Sequence, residues 1–356
     1  MNIEFWKNKK VFITGHTGFK GTWLSSLLVR MSANIYGYSN SFMKKNHLFG
    51  DLIKNSKNIN TIIGDINNKD LLEENILKIK PDIVFHLAAQ PLVIDSYKDP
   101  LMTWKTNLIG TLNLLESLRN LDKKCIIVII TSDKVYKNNN WEFNYRENDI
   151  LGGKDPYSAS KAACEIAVES WKESFIGKEA YQNPFLKIAS ARAGNVIGGG
   201  DWSENRLVPD IMKSLRYKSK LLLRNPDSTR PWQHVLDPIC GYISLAEYLW
   251  ECKNEFISFN FGPSQEDVRN VKEVLISIQN CWGNEIKYKF QKSQYYEPNF
   301  LGLNYDRALK IIGWKPTWNF DISISETVKW YKNVFNGEKP SDEINKCLER
   351  FLKEYE

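Results

Sequence analysis

The sequence predicts an α/β protein built on a doubly wound parallel sheet, with a smaller α/β part after it. Three observations lead to this prediction. Short apolar runs alternate with helical patterns up to about Asn195, the arrangement that gives a parallel sheet covered on both faces. A glycine-rich loop follows the first run, and the run at 126–130 is apolar throughout, as in a buried central strand.

Composition narrows the class of protein. The 356 residues suffice for one large domain or two linked ones, and 42% hydrophobic with 25% charged residues is ordinary for a soluble globular protein. The net charge of +6 comes from scattered lysines, which favours solvated faces over a nucleic-acid-binding stripe. Six dispersed cysteines and four histidines favour reduced thiols and no metal site. No apolar run approaches ~18 residues, so we expect a cytoplasmic protein that does not bind membranes.

The apolar runs place the elements of the predicted sheet. Strands are expected at 11–14, 34–38, 60–63, 82–87, 126–130 and 185–189. Helices are expected from the glycine loop to about Met31, and at about 100–121 and 155–174. This alternation of strand and helix keeps successive strands parallel.

The pattern changes after Asn195. The stretch Gly198-Gly199-Gly200-Asp201 interrupts the alternation, and short strands then mix with helices. A helix at about 236–252 and a strand at about 257–261 resemble returns to the sheet. We therefore expect a first domain of residues 1–195 with returns at about 236–261, and a second of about 196–235 and 262–356.

A glycine loop between the first strand and the first helix predicts a Rossmann-type dinucleotide site. Gly15, Gly18 and Gly21 are spaced by three, which allows a tight turn, close approach to a pyrophosphate and close packing of helix on strand. No carboxylate ends the second strand, and Lys44 and Lys45 follow it, so the sequence leaves NAD and NADP open. Within the loop, His16 and Lys20 are either charged groups beside the pyrophosphate or solvated side chains, and Asp65 is either an adenine contact or a strand-end cap.

Two groups of polar residues indicate acid–base chemistry. Ser132, Asp133 and Lys134 follow the apolar strand, at the sheet edge where open α/β sheets bind ligands. Tyr157 and Lys161 are four residues apart and share one helix face, so the ammonium is expected to lower the pKa of the phenol. One base suffices to oxidise an alcohol. The second acid and base suggest a further reaction on the same substrate.

These motifs resemble the extended short-chain dehydrogenase/reductase superfamily, and within it the nucleotide-sugar 4,6-dehydratases, most closely those that act on a CDP-linked hexose. The superfamily motifs are the glycine loop, Leu87-Ala88-Ala89-Gln90, the Asn107 region, the Tyr157/Lys161 pair and 192–196. The stretches 194–202, 224–226 and 230–235 are similar to the narrower group. The resemblance covers nearly the whole chain.

The resemblance implies an NAD-dependent conversion of CDP-glucose to its 4-keto-6-deoxy form, for deoxysugar and surface polysaccharide synthesis. It implies that Tyr157 is the base at the 4-hydroxyl, Ser132 binds the 4-oxygen, Asp133 is an acid, and Lys134 stands where thymidine-linked relatives carry a glutamate base. Expected cofactor contacts are Gly15, His16, Thr17, Gly18, Phe19, Lys20, Gly21, Asp65, Ile66, Leu87, Ala88, Ala89, Tyr157 and Lys161. Expected substrate contacts are Gln90, Asn195, Arg206, Leu207, Arg224, Arg230 and Tyr296.

Other functions remain open from the sequence. A dehydratase of a GDP-, UDP- or dTDP-linked sugar would need the same catalytic residues, whereas an epimerase would not need Asp133 and Lys134. A dinucleotide-sensing regulatory protein would have little need for Tyr157 and Lys161. The two long helices match those that pair in family dimers, so a homo-oligomer, dimer or tetramer, is expected.

Overall fold

A parallel sheet of seven strands forms the centre of the computed structural model, which describes residues 1–40, 50, 56–251, 258–291 and 294–355. Its strands are β1 (Lys10–Thr14), β2 (Asn34–Ser39), β3 (Ile59–Ile63), β4 (Ile83–His86), β5 (Cys125–Ile130), β6 (Leu186–Ala193) and β7 (Ser258–Phe261). They lie in the order β7-β6-β5-β4-β1-β2-β3, and every neighbouring pair is parallel. The chain changes direction across the sheet between β1 and β4, which is where such sheets bind ligands. The predicted fold class is confirmed.

Helices connect the strands and make up most of the C-terminal part. They are α1 (Ile3–Trp6), α2 (Phe19–Arg30), α3 (Lys69–Ile79), α4 (Val93–Lys98), α5 (Pro100–Trp104), α6 (Gly110–Leu118), α7 (Pro156–Phe175), α8 (Leu207–Tyr217), α9 (Leu236–Glu251), α10 (Val271–Trp282), α11 (Asp306–Ile312), α12 (Phe320–Phe335) and α13 (Pro340–Tyr355). Single 3₁₀ turns lie at Asp133–Val135 and Gln265–Asp267. Within the described ranges, no helix combines the length and the apolar character needed to cross a membrane.

Three short strand pairs accompany the main sheet. Val196–Ile197 pairs with Gln233–His234, Thr229–Arg230 with Arg269–Asn270, and Leu221–Leu223 with Tyr288–Phe290. The pair of Thr229–Arg230 and Arg269–Asn270 is antiparallel, and the others are parallel. They place the loops of the C-terminal part beside the carboxyl ends of the main strands.

The predicted helix at 100–121 is interrupted by a π-helical turn at Lys105–Ile109. Within this turn, Asn107 Oδ1 accepts a hydrogen bond from the Gln90 amide at 2.8 Å, and Asn107 Nδ2 donates to Ser160 Oγ at 2.9 Å. Such π turns are typical of functional positions in helices. The turn aims Asn107 at the loop after β4 and at α7, which brings these two elements together.

The core lies on both faces of the sheet. Side chains of β5 alternate between two apolar clusters: Ile126, Val128 and Ile130 join one, while Ile127 and Ile129 join the other. This alternation explains why the whole strand is apolar, because both of its faces are buried. The first cluster continues into α12 and α13, so the C-terminal part shares a core with the sheet.

The predicted returns to the sheet are present. α9 ends at Glu251, and β7 pairs with β6 at the edge of the sheet. Residues 252–257, which include the predicted ends of both elements, lie outside the described residues. The division of the chain into two domains at the predicted boundaries stays a prediction.

A buried ion pair joins α7 to the ends of two strands. Glu165 Oε2 lies 2.8 Å from Arg192 Nη2, and both side chains are at most 4% exposed. Glu165 also accepts hydrogen bonds from Ser190 at 2.5 Å and from Thr131, the residue before Ser132. Burial alone would raise the pKa of Glu165, but Arg192 and these hydrogen bonds outweigh it and lower the pKa. The carboxylate is therefore ionised and fixed.

We predict that Glu165→Gln lowers the free energy of unfolding by about 3–5 kcal/mol, because it leaves the Arg192 charge buried without its counter-ion. Since folding lowers the pKa of Glu165, its stabilisation is present above the unfolded pKa and is lost as pH falls through the folded one. Urea unfolding at neutral and acidic pH should show a difference from wild type that shrinks at low pH.

The matched control is Glu173→Gln on the same helix, whose exposed side chain pairs only with Lys172 among the described ion pairs. It should change stability by less than about 0.5 kcal/mol. Equal effects of the two variants would contradict the importance given to the buried pair.

Candidate active site

A cleft with a volume of about 330 Å³ lies at the carboxyl ends of the strands. This volume is within the roughly 300–1,000 Å³ of a site for a drug-sized ligand. Its walls come from the loops after β1, β4, β5 and β6, the start of α7, and the C-terminal segments 205–210, 221–224 and 295–298. The cleft therefore joins the glycine loop, the strand-end residues 131–134 and the C-terminal segments in one site.

The glycine loop has the geometry of a dinucleotide site. Gly15 has a φ of 72°, and a Cβ there would lie 2.7 Å from the Ala88 amide nitrogen. A Cβ at Gly21 would lie 2.3 Å from the Gly15 carbonyl oxygen. Gly18 begins α2 without a side-chain cap, which leaves the first helix N–H groups for an anion. The loop fits a pyrophosphate.

The other expected cofactor residues surround this loop. Thr17 Oγ1 lies 2.7 Å from Ser39 Oγ at the end of β2, and the Ala88 amide donates to Thr14 Oγ1 at 3.2 Å. Phe19 lines the cleft, Leu87 and Ala89 are half-buried beside Ala88, and Ile66 is buried against Gly110. The end of β2 carries no carboxylate for a ribose, and the hydroxyl pair of Thr17 and Ser39 occupies this position instead. Lys44 and Lys45 lie outside the described residues.

His16 differs from both sequence expectations. Its ring is buried against Gly37, where an added Cβ would lie 2.1 Å from the ring, and Nε2 lies 3.2 Å from Thr61 Oγ1. Burial lowers the pKa of His16 to about 4, so the ring is neutral. His16 is therefore a packing residue below the loop, neither a solvated side chain nor a charge beside a pyrophosphate.

Lys20 and Asp65 had two possible roles each, and the structure favours a ligand-facing role for Lys20 and a structural one for Asp65. Lys20 lines the cleft, and burial, followed by the charge of Arg206, lowers its pKa to about 8. Asp65 is exposed and caps a turn, because Oδ1 accepts from the Asn67 amide at 2.8 Å and from Asn67 Nδ2 at 2.9 Å. The cap is therefore present, and any adenine contact must come in addition to it.

The predicted acid occupies a buried position. Asp133 is 3% exposed, its Oδ1 accepts from Ser132 Oγ at 2.9 Å, and its Oδ2 has no hydrogen-bond partner among the described residues. Burial raises the pKa of Asp133, although the charges of Lys134, Arg230 and Lys20 oppose the shift. A carboxyl that donates a proton near neutral pH needs a raised pKa, and burial shifts the pKa of Asp133 in that direction.

Tyr157 and Lys161 lie on the buried face of α7, as the spacing predicted, but their electrostatics differ from the prediction. Burial raises the pKa of Tyr157 to about 12, opposed first by a hydrogen bond with Ser132. Lys161 Nζ donates to the Ile130 carbonyl at 3.3 Å, and burial lowers its pKa. The expected lowering of the Tyr157 pKa is thus overturned, since desolvation of the phenol outweighs nearby positive charge.

Three arginines converge on the cleft. Arg206 pairs with buried Asp201 at 2.9 Å. Arg230 is 2% exposed and pairs with Glu297 at 2.7 Å, and Arg224 Nη2 donates to the Asn205 carbonyl at 3.3 Å. The other expected substrate residues that line the cleft are Asn195, Leu207 and Tyr296.

Gln90 does not line the cleft wall. Its Nε2 donates to the Leu92 carbonyl at 3.0 Å and to Thr103 Oγ1 at 2.9 Å, and its Oε1 accepts from the Leu92 amide at 2.5 Å. The side-chain amide is therefore used within the protein, by Leu92 in its own loop and by Thr103 on α5. Gln90 shapes the loop 91–94, and the predicted ligand contact is corrected to this role.

The expected site set misses several residues that the structure places in it. Asp201 neutralises Arg206, and Lys154 Nζ lies 4.5 Å from the centre of the Tyr296 ring. Tyr295 stacks on Tyr97 with ring centres 4.5 Å apart. No motif could have marked the contacts of Tyr296 and Tyr295, because each joins segments that are distant in sequence. Asp201 is five residues before Arg206, in the stretch 194–202 that the sequence analysis had singled out.

Comparison with known proteins supports this picture. The family model described as GDP-mannose 4,6 dehydratase matches residues 12–327. The chain is 40% identical to CDP-glucose 4,6-dehydratase of Salmonella typhimurium, over 99% of this chain and 97% of that protein.

Its fold is similar to that of two solved structures. The dTDP-glucose 4,6-dehydratase of Bacillus anthracis has a TM-score of 0.78 and 20% identity, with 94% and 99% of the chains covered. The UDP-glucose 4-epimerase of Thermotoga maritima has a TM-score of 0.79 and 21% identity, with 91% and 99% covered.

The family match spans most of the chain and includes the glycine loop, the strand-end residues 132–134 and the Tyr157/Lys161 pair. The chain therefore belongs to the GDP-mannose 4,6-dehydratase family, the nucleotide-sugar dehydratases of the extended short-chain dehydrogenase/reductase type.

Proposed function

We propose that this protein is an NAD-dependent CDP-glucose 4,6-dehydratase, a lyase that forms CDP-4-dehydro-6-deoxyglucose by removing water across C5 and C6. The observation that carries the proposal is the buried Ser132–Asp133 pair, with Lys134 beside it, in the same cleft as Tyr157. This arrangement supplies two acid–base pairs where a simple alcohol oxidation needs one. The 40% identity to the Salmonella typhimurium enzyme supports the choice of substrate.

The cofactor assigned here is NAD. Gly15, Gly18 and Gly21 leave room for its pyrophosphate, Lys20 adds a cation at the loop, and Lys161 lies behind Tyr157 toward β5. When bound, NAD supplies the hydride acceptor for C4 and the hydride donor for C6. The B. anthracis structure of similar fold is a complex with NAD.

Oxidation at C4 requires removal of a proton from the 4-hydroxyl. Tyr157 is the base, and Ser132 binds the 4-oxygen. Because burial raises the pKa of Tyr157 to about 12, the phenol is protonated at neutral pH in this structure. Ser132 and Arg206 act to lower that pKa. Bound ligands must lower it further, so that the phenol loses its proton to solvent before it accepts the proton of the 4-hydroxyl.

Loss of water requires a base at C5 and an acid at the C6 hydroxyl. Asp133 is the acid, because burial keeps its carboxyl protonated closer to neutral pH than that of an exposed aspartate. Lys134 is the base, because its side chain lines the cleft beside Asp133. This step requires the neutral amine, with the one proton that the pair shares held on Asp133. An epimerase would have no use for this second pair.

Binding of the nucleotide sugar is assigned to the C-terminal part, residues 196–235 and 262–356. Arg206, Arg224 and Arg230 face the cleft from this part, and guanidinium groups suit the two phosphates of the substrate. Tyr296, held below Lys154, supplies an apolar surface for the sugar or the base. Asn195 and Leu207 complete the wall between these groups.

A first experiment tests turnover of CDP-, dTDP-, UDP- and GDP-glucose and GDP-mannose in parallel with added NAD. We expect a 4-keto product with the mass of one water less from CDP-glucose alone, measured by mass spectrometry and by the alkaline absorbance of the ketone. Product from another nucleotide sugar only would support 4,6-dehydration as the reaction and would reject CDP-glucose as the substrate. Absence of product from all of them would contradict the proposal.

Paired variants separate the two half-reactions. Tyr157→Phe should lower the rate of C4 oxidation by about 10²–10⁴-fold, measured by the absorbance of the reduced nicotinamide, because it removes the base. Lys134→Met should retain C4 oxidation but lose water elimination and exchange of the C5 hydrogen with deuterated solvent. The exposed Lys137→Met serves as control. Normal C5 exchange in Lys134→Met would remove Lys134 from the mechanism.

The active form is a homodimer formed through α5–α7. Exposed apolar side chains on these helices include Leu101, Ile109 and Ile166, exposed by 80%, 44% and 59%. Half-exposed Ala159 and Ala163 lie on α7 one turn apart, which permits close approach of a second helix. The family resemblance implies pairing through these helices.

We expect a solution mass of twice the 41.4 kDa of the chain. Ile166→Glu should shift the mass toward the monomer in light scattering, because it buries a charge in the interface. Ile276→Glu changes an isoleucine that is 46% exposed on α10 and should leave the mass unchanged. A dimer that persists in Ile166→Glu would place the interface elsewhere.

The cytoplasm is the proposed location. Five cysteines among the described residues are free thiols, and four of them are buried. Reduced thiols of this kind suit a reducing compartment. Cell fractionation with antibody detection checks this assignment, and recovery in a secreted fraction would contradict it.

A further inference from the structure

The carboxylate of Glu297 occupies a position that an anionic ligand would take. Arg230 Nη2 lies 2.7 Å from Glu297 Oε1 in an ion pair whose geometry is not that of a hydrogen bond. Arg230 Nη1 donates to the Thr229 carbonyl at 2.6 Å. Most of the N–H groups of this guanidinium are therefore left without hydrogen bonds to other described residues, while Glu297 supplies its charge balance.

Arg230 needs a negative charge beside it. Its side chain is 3% exposed, so its positive charge is largely removed from water. In the described part of the chain, Glu297 is the carboxylate paired with it. Any anion that replaces Glu297 must offer at least as much charge and better hydrogen-bond geometry. A diphosphate offers both.

Glu297 is suited to leaving this position. Its side chain is 36% exposed, whereas that of Arg230 is buried. Its other oxygen accepts from Asn225 Nδ2 at 2.7 Å in a hydrogen bond that is exposed to solvent. Burial alone would raise the pKa of Glu297, but Arg230 and Lys134 outweigh it and lower the pKa, so the group is an anion held by cations of the cleft. All of these contacts are made at the edge of the cleft.

We propose that Glu297 is a displaceable counter-ion, and that the diphosphate of the nucleotide sugar takes its place on Arg230 when it binds. Glu297 then sets the affinity of the site, because each binding event must break its contacts with Arg230 and Asn225. This inference rests on the proposed function, since it uses a substrate with two phosphates. It assigns Glu297 to ligand exchange and leaves the chemical steps to residues 132–134 and Tyr157.

The physical reason for exchange is that two anions cannot share one buried guanidinium without repulsion. With Glu297 in place, an arriving phosphate meets a carboxylate within a few ångströms, and like charges at that distance oppose binding. With Glu297 moved toward solvent, Arg230 can donate two N–H groups to phosphate oxygens. The exposed side of Glu297 provides the path for this movement.

The test compares Glu297→Gln with wild type by calorimetric titration with CDP, inorganic pyrophosphate and cytidine. We expect Kd for CDP and for pyrophosphate to fall by about three- to tenfold, because the competing charge is gone. Cytidine, which carries no phosphate, should bind with unchanged affinity. In turnover, KM for CDP-glucose should fall by a similar factor.

Two further variants complete the comparison. Glu297→Asp keeps the charge on a shorter side chain and should restore the wild-type Kd for pyrophosphate at least in part. Glu285→Gln removes an exposed carboxylate outside the cleft and should leave every Kd unchanged. The pair separates a local effect at Arg230 from a change in net charge.

Weaker binding of CDP and pyrophosphate to Glu297→Gln would overturn the inference, since it would mean that Glu297 holds Arg230 in place for the ligand. Unchanged binding would overturn it as well. Tighter binding of pyrophosphate to Glu297→Gln, with no binding of CDP to either protein, would support the displacement of Glu297 by an anion. It would count against cytosine as the base of the substrate. Failure of both anions to bind to either protein would reject Arg230 as the phosphate site.

Discussion

The site depends on one buried contact, the ion pair of Glu165 and Arg192. Glu165 lies one turn after Lys161 on α7, and it also receives a hydrogen bond from Thr131 at the end of β5. Arg192 lies on β6 and donates to Tyr136 at 2.8 Å, which follows the 132–135 turn. The pair thereby fixes α7 relative to the two strand ends. Together with the hydrogen bond from Lys161 to the Ile130 carbonyl, it holds the phenol of Tyr157 in position relative to the carboxyl of Asp133.

Positive charge is the second constraint on the cleft. Lys20, Lys161, Arg206 and Arg230 all face it or lie just behind its wall. Burial and the mutual repulsion of these cations lower the pKa of Lys20 to about 8, with Arg206 as the largest charged contributor. Asp201 and Glu297 balance the charges of Arg206 and Arg230, whereas Lys20 retains the repulsion that lowers its pKa. An anionic group beside Lys20 would relieve that repulsion, which suits the diphosphate of a dinucleotide.

Much of the fold and part of the site follow from local sequence. The β5 run is apolar because both faces of a central strand are buried, and the Tyr157/Lys161 spacing shares a helix face whatever the surroundings. His16, Gln90 and Glu297 could not be placed, since their roles depend on Gly37, Thr103 and Arg230, which are distant in sequence. The prediction of a lowered pKa for Tyr157 was wrong for the same reason. The spacing shows a nearby ammonium, but only the fold shows how deeply the phenol is buried.

The surroundings of two carboxyl groups in this cleft, Asp133 and Glu297, shift their pKa values in opposite directions. Burial raises the pKa of Asp133 even though Lys134 lies beside it, so Asp133 holds its proton to higher pH and can donate it to a leaving hydroxyl. Glu297 is more exposed and lies among Arg230, Lys134 and Asn225, so its pKa is lowered and it stays ionised. The two pKa values are thus shifted in opposite directions, toward the protonated acid at Asp133 and toward the anionic counter-ion at Glu297. Each shift favours the form of the carboxyl that its proposed role requires.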